Sequence, residues 1–315
     1  MNNPLVSIVT PTYNQAAYIA QTLESVRNQV YRPIEHIVVD DSSTDATPDI
    51  LARYATQLPY LRVIRVPHGG EAAAVNAGWA IAQGKYLAWL NSDDVLLPYG
   101  LAESVAFLEA HPEIDLVYRD MLIMDADGQL TGELFRAAPF DPVFTVVLNR
   151  RISVGSVLLR QDLWARSSFI PPVADYNPDF KLWLQAMPLG RFAYLPGTAY
   201  AWRDQPASKN RNRPPAAFFL MDYMLHHCIS RPTLYPKLYA HKRRIMAHSA
   251  HNCAVACARD HNPAGEQFFI RRALWHAPLG RRKVYLALYA LDAHLGTRLA
   301  PLTSALWRRL RQVFG

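Results

Sequence analysis

The sequence predicts an α/β fold: a parallel central sheet with helices on both faces, and a helical region at the carboxyl end. Three observations predict it. Short apolar or β-branched runs recur through roughly the first 120 residues, with stretches of helical period between them. Strands separated by helices of that length pair in parallel, and the helices cover both faces. From residue 216 onward the pattern is helical. The expected division is 1–215, an α/β domain, and 216–315, a helical region that ends basic and amphipathic.

The first strand is read at 5–10 (LVSIVT), followed by a helix in which Tyr18, Ile19, Thr22, Leu23 and Val26 share a face. The second strand is 34–40 (IEHIVVD). Ile50, Leu51 and Tyr54 mark the second helix, which Ser43 or Thr44 can cap. A third strand at 61–66 (LRVIRV) leads to an alanine-rich helix at 71–82, with Gly84 as its end. Strands at 85–90 (KYLAWL) and 114–118 (IDLVY) enclose a helix marked by Leu101, Val105 and Leu108. Residues 119–150 are irregular, except that MDADGQLTG (124–132) reads as a hairpin around an Asp-Gly turn. SVGSVLLRQDLW (153–164) reads as a strand and a helix, and PDFKLWLQAM (178–187) as a buried helix. ASKNRNRPP (207–215) is polar, basic and proline-terminated, as linkers are. Further helices are expected at 216–230, 233–260, 263–276 and 282–298.

Half the residues are hydrophobic and 19% are charged, the balance of a folded chain with a full core. MNNPLVSIVT lacks the basic start and apolar length of a secretory signal. No run approaches the roughly 18–20 apolar residues of a membrane span. Cys228, Cys253 and Cys257 are an odd count that gives no disulfide framework; they are expected as buried helix residues in a reducing compartment. The formal charge of +7 is uneven: 271–315 carries nine Arg and Lys against one acid, and 1–270 sums to −1. Nucleic acid is therefore not an expected partner.

Acids stand where ligands of such sheets bind, beyond the carboxyl ends of the strands. Asp40 and Asp41 follow HIVV, Asp93 and Asp94 follow LAWLNS, and Asp179 opens DFKLWL. Taken singly, each reads as a helix cap. Two acidic doublets on neighbouring strands crowd negative charge at one rim, which costs stability unless donors or a cation face it. A hard cation such as Mg²⁺ or Mn²⁺ takes carboxylate oxygens and keeps positions open for phosphate, which points to Asp94, with Asp93, as ligands.

VSIVTPTYNQAAYIAQTLESVRNQ, IVVDDSSTDAT, AVNAGWAIAQGKYLAWLNSDD and PDFKLWL follow the order and spacing of family 2 glycosyltransferases of the GT-A fold, which residues 5 to about 210 resemble. The resemblance implies the α/β GT-A fold, a mixed, mostly parallel central sheet flanked by helices, and an inverting transfer of a sugar from a nucleotide-diphosphate donor, expected as a UDP-sugar, to an acceptor hydroxyl. It matches Thr10, Pro11 and Tyr13 to the loop against which base and ribose lie. Asp41 matches the acid that accepts a hydrogen bond from the base, with Asp40 supporting it or reaching the ribose. Asp93 and Asp94 match the metal-binding motif, Asp94 as the direct ligand, and Asp179 matches the catalytic base. Asn76 and Gly78 match positions on the third helix, where Gly78 is expected to pack under the sheet.

Departures from the family pattern are also visible. Val75 stands where many members carry an Arg near the phosphates. WRDQPASKN matches an R-x-H-x-x-S motif at Arg203 and Ser208, with Gln205 in place of the His. Gln cannot titrate, so either water completes the ion's shell there or Arg203 and Lys209 meet the phosphates by charge pairing. Gly69 and Gly70, after His68, can offer backbone N–H groups to a phosphate, or simply make a turn. Trp164, Trp183 and Trp202 are candidates for the sugar site, with core packing favoured for Trp183.

Leucines and valines at helical spacing between Val284 and Val313 are flanked by Arg281, Arg282, Lys283, Arg308, Arg309 and Arg311. Such a segment fits peripheral contact with the inner face of a cell membrane, or an ordinary helix with a solvated basic edge. The first makes a lipid-linked saccharide the natural acceptor and bacterial surface polysaccharide or glycolipid synthesis the setting; either way the expected location is cytoplasmic. The alternatives are a non-catalytic nucleotide-sugar-binding member of the family and a nucleotidyltransferase. TPTYNQAAY lacks the Gly-rich basic phosphate loop of the latter, and no G-x-G-x-x-G follows the first strand to suggest a dinucleotide oxidoreductase.

Overall fold

The computed structural model describes residues 3–148, 152–167, 177–205 and 214–277. It divides between Arg211 and Asn212 into two units.

In the first unit, β1 (Val6–Thr12) is buried over its whole length and lies at the centre of a parallel block. On one side it pairs with β2 (Ile34–Asp40), which pairs with β3 (Leu61–Arg65); on the other it pairs with β4 (Tyr86–Trp89). The crossovers that parallel pairing demands are supplied by α1 (Ile19–Arg27), α2 (Thr47–Ala55) and α3 (Glu71–Ala80). After β5 (Val95–Leu96) and α4 (Gly100–Ala110), β6 (Leu116–Met124) and β7 (Leu130–Phe135) form an antiparallel hairpin. Then come β8 (Val157–Arg160), α5 (Gln161–Ser167), α6 (Pro178–Ala186) and β9 (Phe192–Arg203). The sheet order is β3-β2-β1-β4-β8-β6-β9-β5, with β7 on β6; β8 and β5 enter antiparallel, and β6 and β9 run parallel.

Alternation along β1 sends Val6 and Ile8 into one layer with Val26, Leu101, Val105 and Leu108. Val9 faces the other layer, where a Cβ on Gly78 of α3 would come within 2.5 Å of its Cγ1. Gly78 is thus the close-approach glycine expected from its sequence position. α1 buries Ile19, Thr22, Leu23 and Val26, the face read from the sequence. Each of its apolar side chains contributes roughly 1.5–3 kcal/mol by leaving water.

Several local expectations change. Ser43 and Thr44 do not cap α2, which starts at Thr47; the Asp45 carboxylate accepts the Thr47 amide at 2.9 Å instead. Gly84 does not end α3, which stops at Ala80; its amide donates to Ser7 Oγ at 2.8 Å, fixing the entry into β4. Strand β6 runs on to Met124, into the stretch that reads as irregular. The hairpin turn stands as expected, with Gly128 at φ 85°. The two acidic doublets follow β2 and β4, which are not neighbours but flank β1.

The second unit holds α7 (Pro215–Ile229), α8 (Pro236–Ala240), α9 (Lys242–Arg259) and α10 (Pro263–His276). The single helix expected over 233–260 is broken. Pro236 drives Tyr235 out of the helical region, and His241 interrupts the chain again before α9. Ala247 and Ala250 of α9 meet Ala273 of α10 and Ala277 just beyond it, small residues that let these segments approach closely. Asn262 caps α10 by accepting the Gly265 amide at 3.0 Å. All three cysteines are free and buried, as expected. Burial pushes the Cys228 thiol up to about 11 and the Cys253 thiol up to about 12, so both are protonated, inert side chains at neutral pH. The expected linker core at 207–213 and the helix and basic stripe beyond 278 lie outside the described residues.

Candidate functional site

The carboxyl ends of β1, β2 and β4 lie side by side, since Thr12 is in register with Asp40 and Val9 with Trp89. Two loops at this rim are cross-linked. Asn14 Oδ1 accepts the amide of Thr44 at 2.8 Å, the Asn14 amide donates to Ser43 Oγ at 3.0 Å, and the Asp40 carboxylate accepts the Ser43 amide at 2.9 Å. Asp40 is buried with Arg65 Nε 3.7 Å away, so it braces the loop from inside.

Asp41 is buried as well. Its Oδ1 accepts the Gly69 amide at 2.8 Å and its Oδ2 the Gly70 amide at 2.9 Å, with His68 Nδ1 3.0 Å from Oδ2. The Gly69 and Gly70 amides, expected as possible phosphate donors, therefore belong to Asp41. Thr10 and Pro11 are in β1, not in a loop after it; Thr10 is fully buried, 2.9 Å from His36 Nε2. Tyr13 is the exposed member of that trio, with its ring 4.5 Å from the ring of His68.

The Asp93–Asp94 turn is fixed from three directions. Thr22 Oγ of α1 lies 3.0 Å from the Ser92 carbonyl and 2.7 Å from that of Asp94. The main-chain amide of Arg203 donates to Asp94 Oδ1 at 2.9 Å, and Asn91 Nδ2 to Oδ2 at 3.3 Å. The Arg203 guanidinium donates to the Asp93 carbonyl at 2.8 Å, to the Ala126 carbonyl at 2.9 Å and to Gln21 Oε1, and lies 4.8 Å over the Tyr18 ring. Only 1% of Arg203 is exposed. Expected at the phosphates, it is spent inside the protein, joining α1, the hairpin turn and the acidic turn. Gln205 Nε2 donates to Asp93 Oδ2 at 2.8 Å. The residue standing in for the motif's His is thus a donor to the acid.

Burial pushes the Asp94 carboxyl well above the usual range, and the charge of Asp93 pushes it further; the Arg203 amide and Asn91 only partly offset this. A buried carboxylate beside a second one is an electrostatic vacancy for a cation. Asn91 Oδ1, buried with no hydrogen-bond partner, is a spare hard oxygen at the same turn. These groups fit an oxygen-ligated divalent ion that draws the rest of its shell from a ligand or water. Among the described residues no cluster of three or more His, Cys, Asp or Glu forms a fuller cage.

Asp179 is in the first turn of α6 and half-buried. Its carboxylate makes no hydrogen bond among the described residues. Tyr200 of β9, a residue that sequence reasoning missed, feels the charge of Asp179 together with that of the acidic turn. The Tyr200 phenol is raised well above its usual range by burial first, then by the negative charge of Asp94, with Asp179 and Asp93 adding to it. One hydroxyl thus feels all three acids. It also pairs with Ser153, and Gly155 leaves room for its ring. TAYAWR carries no pattern that would single Tyr200 out.

Val75 is buried and offers nothing to a ligand, and Asn76 is half-buried on α3. Trp183 is core, as expected; Trp164 is also buried, with its ring 4.6 Å from the Trp79 ring.

Residues 7–120 match the family model described as Glycosyl transferase family 2. An uncharacterized glycosyltransferase of Rickettsia prowazekii, RP339, is 30% identical over 58% of this chain and 58% of its own. The O-antigen biosynthesis protein RfbC of Myxococcus xanthus is 38% identical over 42% of this chain and 11% of its own. The match to the first of the curated relatives spans 24% of that protein, so this chain covers at most 58% of these three relatives. Among solved structures, S. aureus TarS 1-349 in complex with UDP-GlcNAc superposes with a TM-score of 0.63 at 18% identity, over 91% of this chain and 88% of that one. The mannosyltransferase PcManGT from Pyrobaculum calidifontis, in complex with GDP-Man and Mn²⁺, gives 0.57 at 20%, over 94% and 81%. At those identities the structural likeness speaks for the fold.

Proposed function

The chain belongs to glycosyltransferase family 2, and from that premise we propose that it transfers a sugar, with inversion, from a nucleotide-diphosphate donor to an acceptor hydroxyl. The single observation that supports this most is the pinned acidic turn after β4, where Asp94 is buried beside Asp93 and held by the Arg203 amide and Asn91. A direct displacement needs a negative rim for the donor's cation, the role assigned here to Asp93 and Asp94, and a separate carboxylate for the acceptor's proton, the role assigned to Asp179. Mg²⁺ or Mn²⁺ held by Asp94 and Asp93 would neutralise charge on the departing diphosphate.

The chain's own residues do the rest. Tyr13 offers a face to the base. Thr22, Asn91 and the Arg203 amide hold the acidic turn so that its carboxylates do not splay apart. Asp179 takes the proton from the acceptor hydroxyl as its oxygen forms a bond to the anomeric carbon. The bond from that carbon to the diphosphate breaks on the opposite face, and the nucleoside diphosphate leaves. Arg203 serves this site as a positioning residue.

The likeness to an O-antigen biosynthesis protein supports a saccharide or lipid-linked acceptor in surface polysaccharide or glycolipid synthesis. Among the described residues no helix is long and apolar enough to cross a membrane; peripheral contact through the basic segment 278–315 belongs to the same proposal.

The test is a panel of UDP-, GDP-, dTDP- and CMP-sugars with Mn²⁺, read first by thermal shift and then by release of free nucleotide. A donor that raises Tm and is hydrolysed or transferred supports the proposal. No stabilisation by any donor, with or without metal, contradicts it.

A further inference from the structure

We infer that the outward surface shared by α7 and α10 docks on an anionic lipid surface, seating the rings of Phe268 and Trp275 at headgroup depth with Arg271 between them. The inference rests on the peripheral membrane contact proposed for segment 278–315, and assigns the apolar part of that contact to helices that precede the segment.

Both helices turn one face to α9. Ala217, Met221, Leu225 and Cys228 form the buried face of α7, where Cys253 of α9 donates to the Phe218 carbonyl at 3.5 Å. Ile270 and Ala273 form the buried face of α10, with Ala273 against Ala247 and Ala250. The two helices are also joined to each other. The Phe219 and Phe269 rings stack 5.2 Å apart, and Arg272 Nη1 donates to Asp222 Oδ2 at 2.8 Å. The faces turned away from α9 therefore lie side by side.

Those outward faces are rich in rings. Past its first two residues, the exposed positions of α10 are Phe268, Arg271 and Trp275, at the spacing of one helix face. Trp275 is 79% exposed and Phe268 61%. On α7, Phe219 and Tyr223 are exposed at the same spacing. Phe268 stands 5.1 Å from Phe269, so the rings of Phe219, Phe269 and Phe268 run unbroken across both helices. A single exposed ring is ordinary, whereas a contiguous group marks a docking surface. Acids are kept off it. Asp222 is buried and paired with Arg272, and Glu266 is half-buried in the first turn of α10.

Charge selects the occupant. Arg271 opens the stretch 271–315, which carries nine Arg and Lys against one acid. Such a stretch is drawn to an anionic leaflet. Trp and Tyr rings, apolar with one polar edge, favour the headgroup layer, and arginine reaches from it to phosphates. A second copy of the chain docked on this face would set the same basic stretch against itself.

The experiment is co-sedimentation of the full chain and its Phe268→Ser/Trp275→Ser double variant with two kinds of vesicle. One is phosphatidylcholine alone; the other is phosphatidylcholine and phosphatidylglycerol in equal parts. Wild type is expected to bind the anionic vesicles at least about tenfold more tightly than the neutral ones. The double variant should lose about tenfold or more on the anionic vesicles. Trp275→Phe, which keeps a ring on the face, gives a second reading. Phosphatidylcholine brominated on its acyl chains, added to the anionic vesicles, should quench its tryptophan emission less than that of wild type. Equal binding by wild type and double variant, or equal quenching, overturns the inference and leaves the contact of the basic segment standing. A double variant that binds vesicles like wild type but loses a self-association that wild type shows by ultracentrifugation assigns the face to a second copy, and also overturns it. If wild type binds neither vesicle, the membrane contact fails first and the inference falls with it.

Discussion

Replacing Arg203 separates two roles that its position in the sequence allows: a cation for phosphates and a brace for the acidic turn. Arg203→Met removes the hydrogen bonds to the carbonyls of Asp93 and Ala126 and to Gln21, and the contact over Tyr18. Hydrogen bonds from a charged donor contribute about 1.5 kcal/mol each at the low end, and a buried cation–π contact adds to that. Methionine keeps the apolar stem. The net loss is about 4.5 kcal/mol, which in a unit of this size lowers Tm by roughly 9–18 °C. Arg203→Lys keeps the charge but reaches fewer of the acceptors, and is expected to lose about half as much. Scanning calorimetry of the ligand-free protein is the assay. If Arg203→Met melts within about 2 °C of wild type and nucleotide binding is nonetheless lost, the residue acts on phosphates and the brace is refuted.

Asp94→Asn is expected to make the metal-free protein more stable at neutral pH. The folded carboxyl of Asp94 is raised above its unfolded value, so the protein loses stability as pH climbs from the ordinary carboxylate range toward that raised value. The amide variant escapes this loss, and its Tm should no longer respond to Mn²⁺. Asp179→Asn should bind donor like wild type while transfer falls by about 10²–10⁴-fold, as read by a radiolabelled-sugar assay; unchanged turnover removes Asp179 as the base. His36, fully buried beside Thr10, is pushed down to about 3 by burial. It stays neutral in the folded protein while the unfolded chain takes up a proton below about 6.5. Stability should therefore fall on acidification, by up to about 1.4 kcal/mol per pH unit from this group. Urea unfolding at pH 6 and pH 4 should show a shallower loss in His36→Gln.

The parallel block was legible because β1 to β4 and α1 to α3 have strong periods of two and 3.6, separated by clear breaks. β9 was not, because Pro196 and Gly197 interrupt it and Gly197 adopts φ 102°, a combination that reads as a loop. Two-residue β5 is too short to carry a period. The acids were legible as residue types at strand ends, whereas their hydrogen bonds were not. Nothing local announces that the Gly69 and Gly70 amides close on Asp41, or that Arg203 turns inward to Gln21 from 182 residues away. Those pairings are made by tertiary packing, which leaves no repeat in the chain. Tyr200 was missed for the same reason: it stands opposite Leu96, just past the acidic turn, only because β9 pairs with β5.

The central claim is that Asp93 and Asp94 form a rim that binds a nucleoside diphosphate through a divalent cation. Isothermal titration of UDP and GDP into the full chain, with Mn²⁺ and then with EDTA, addresses it directly. At least one diphosphate should bind with Mn²⁺, weaken at least tenfold in EDTA, and weaken equally in Asp94→Asn. Equal affinity under all three conditions, or no binding under any, contradicts the claim.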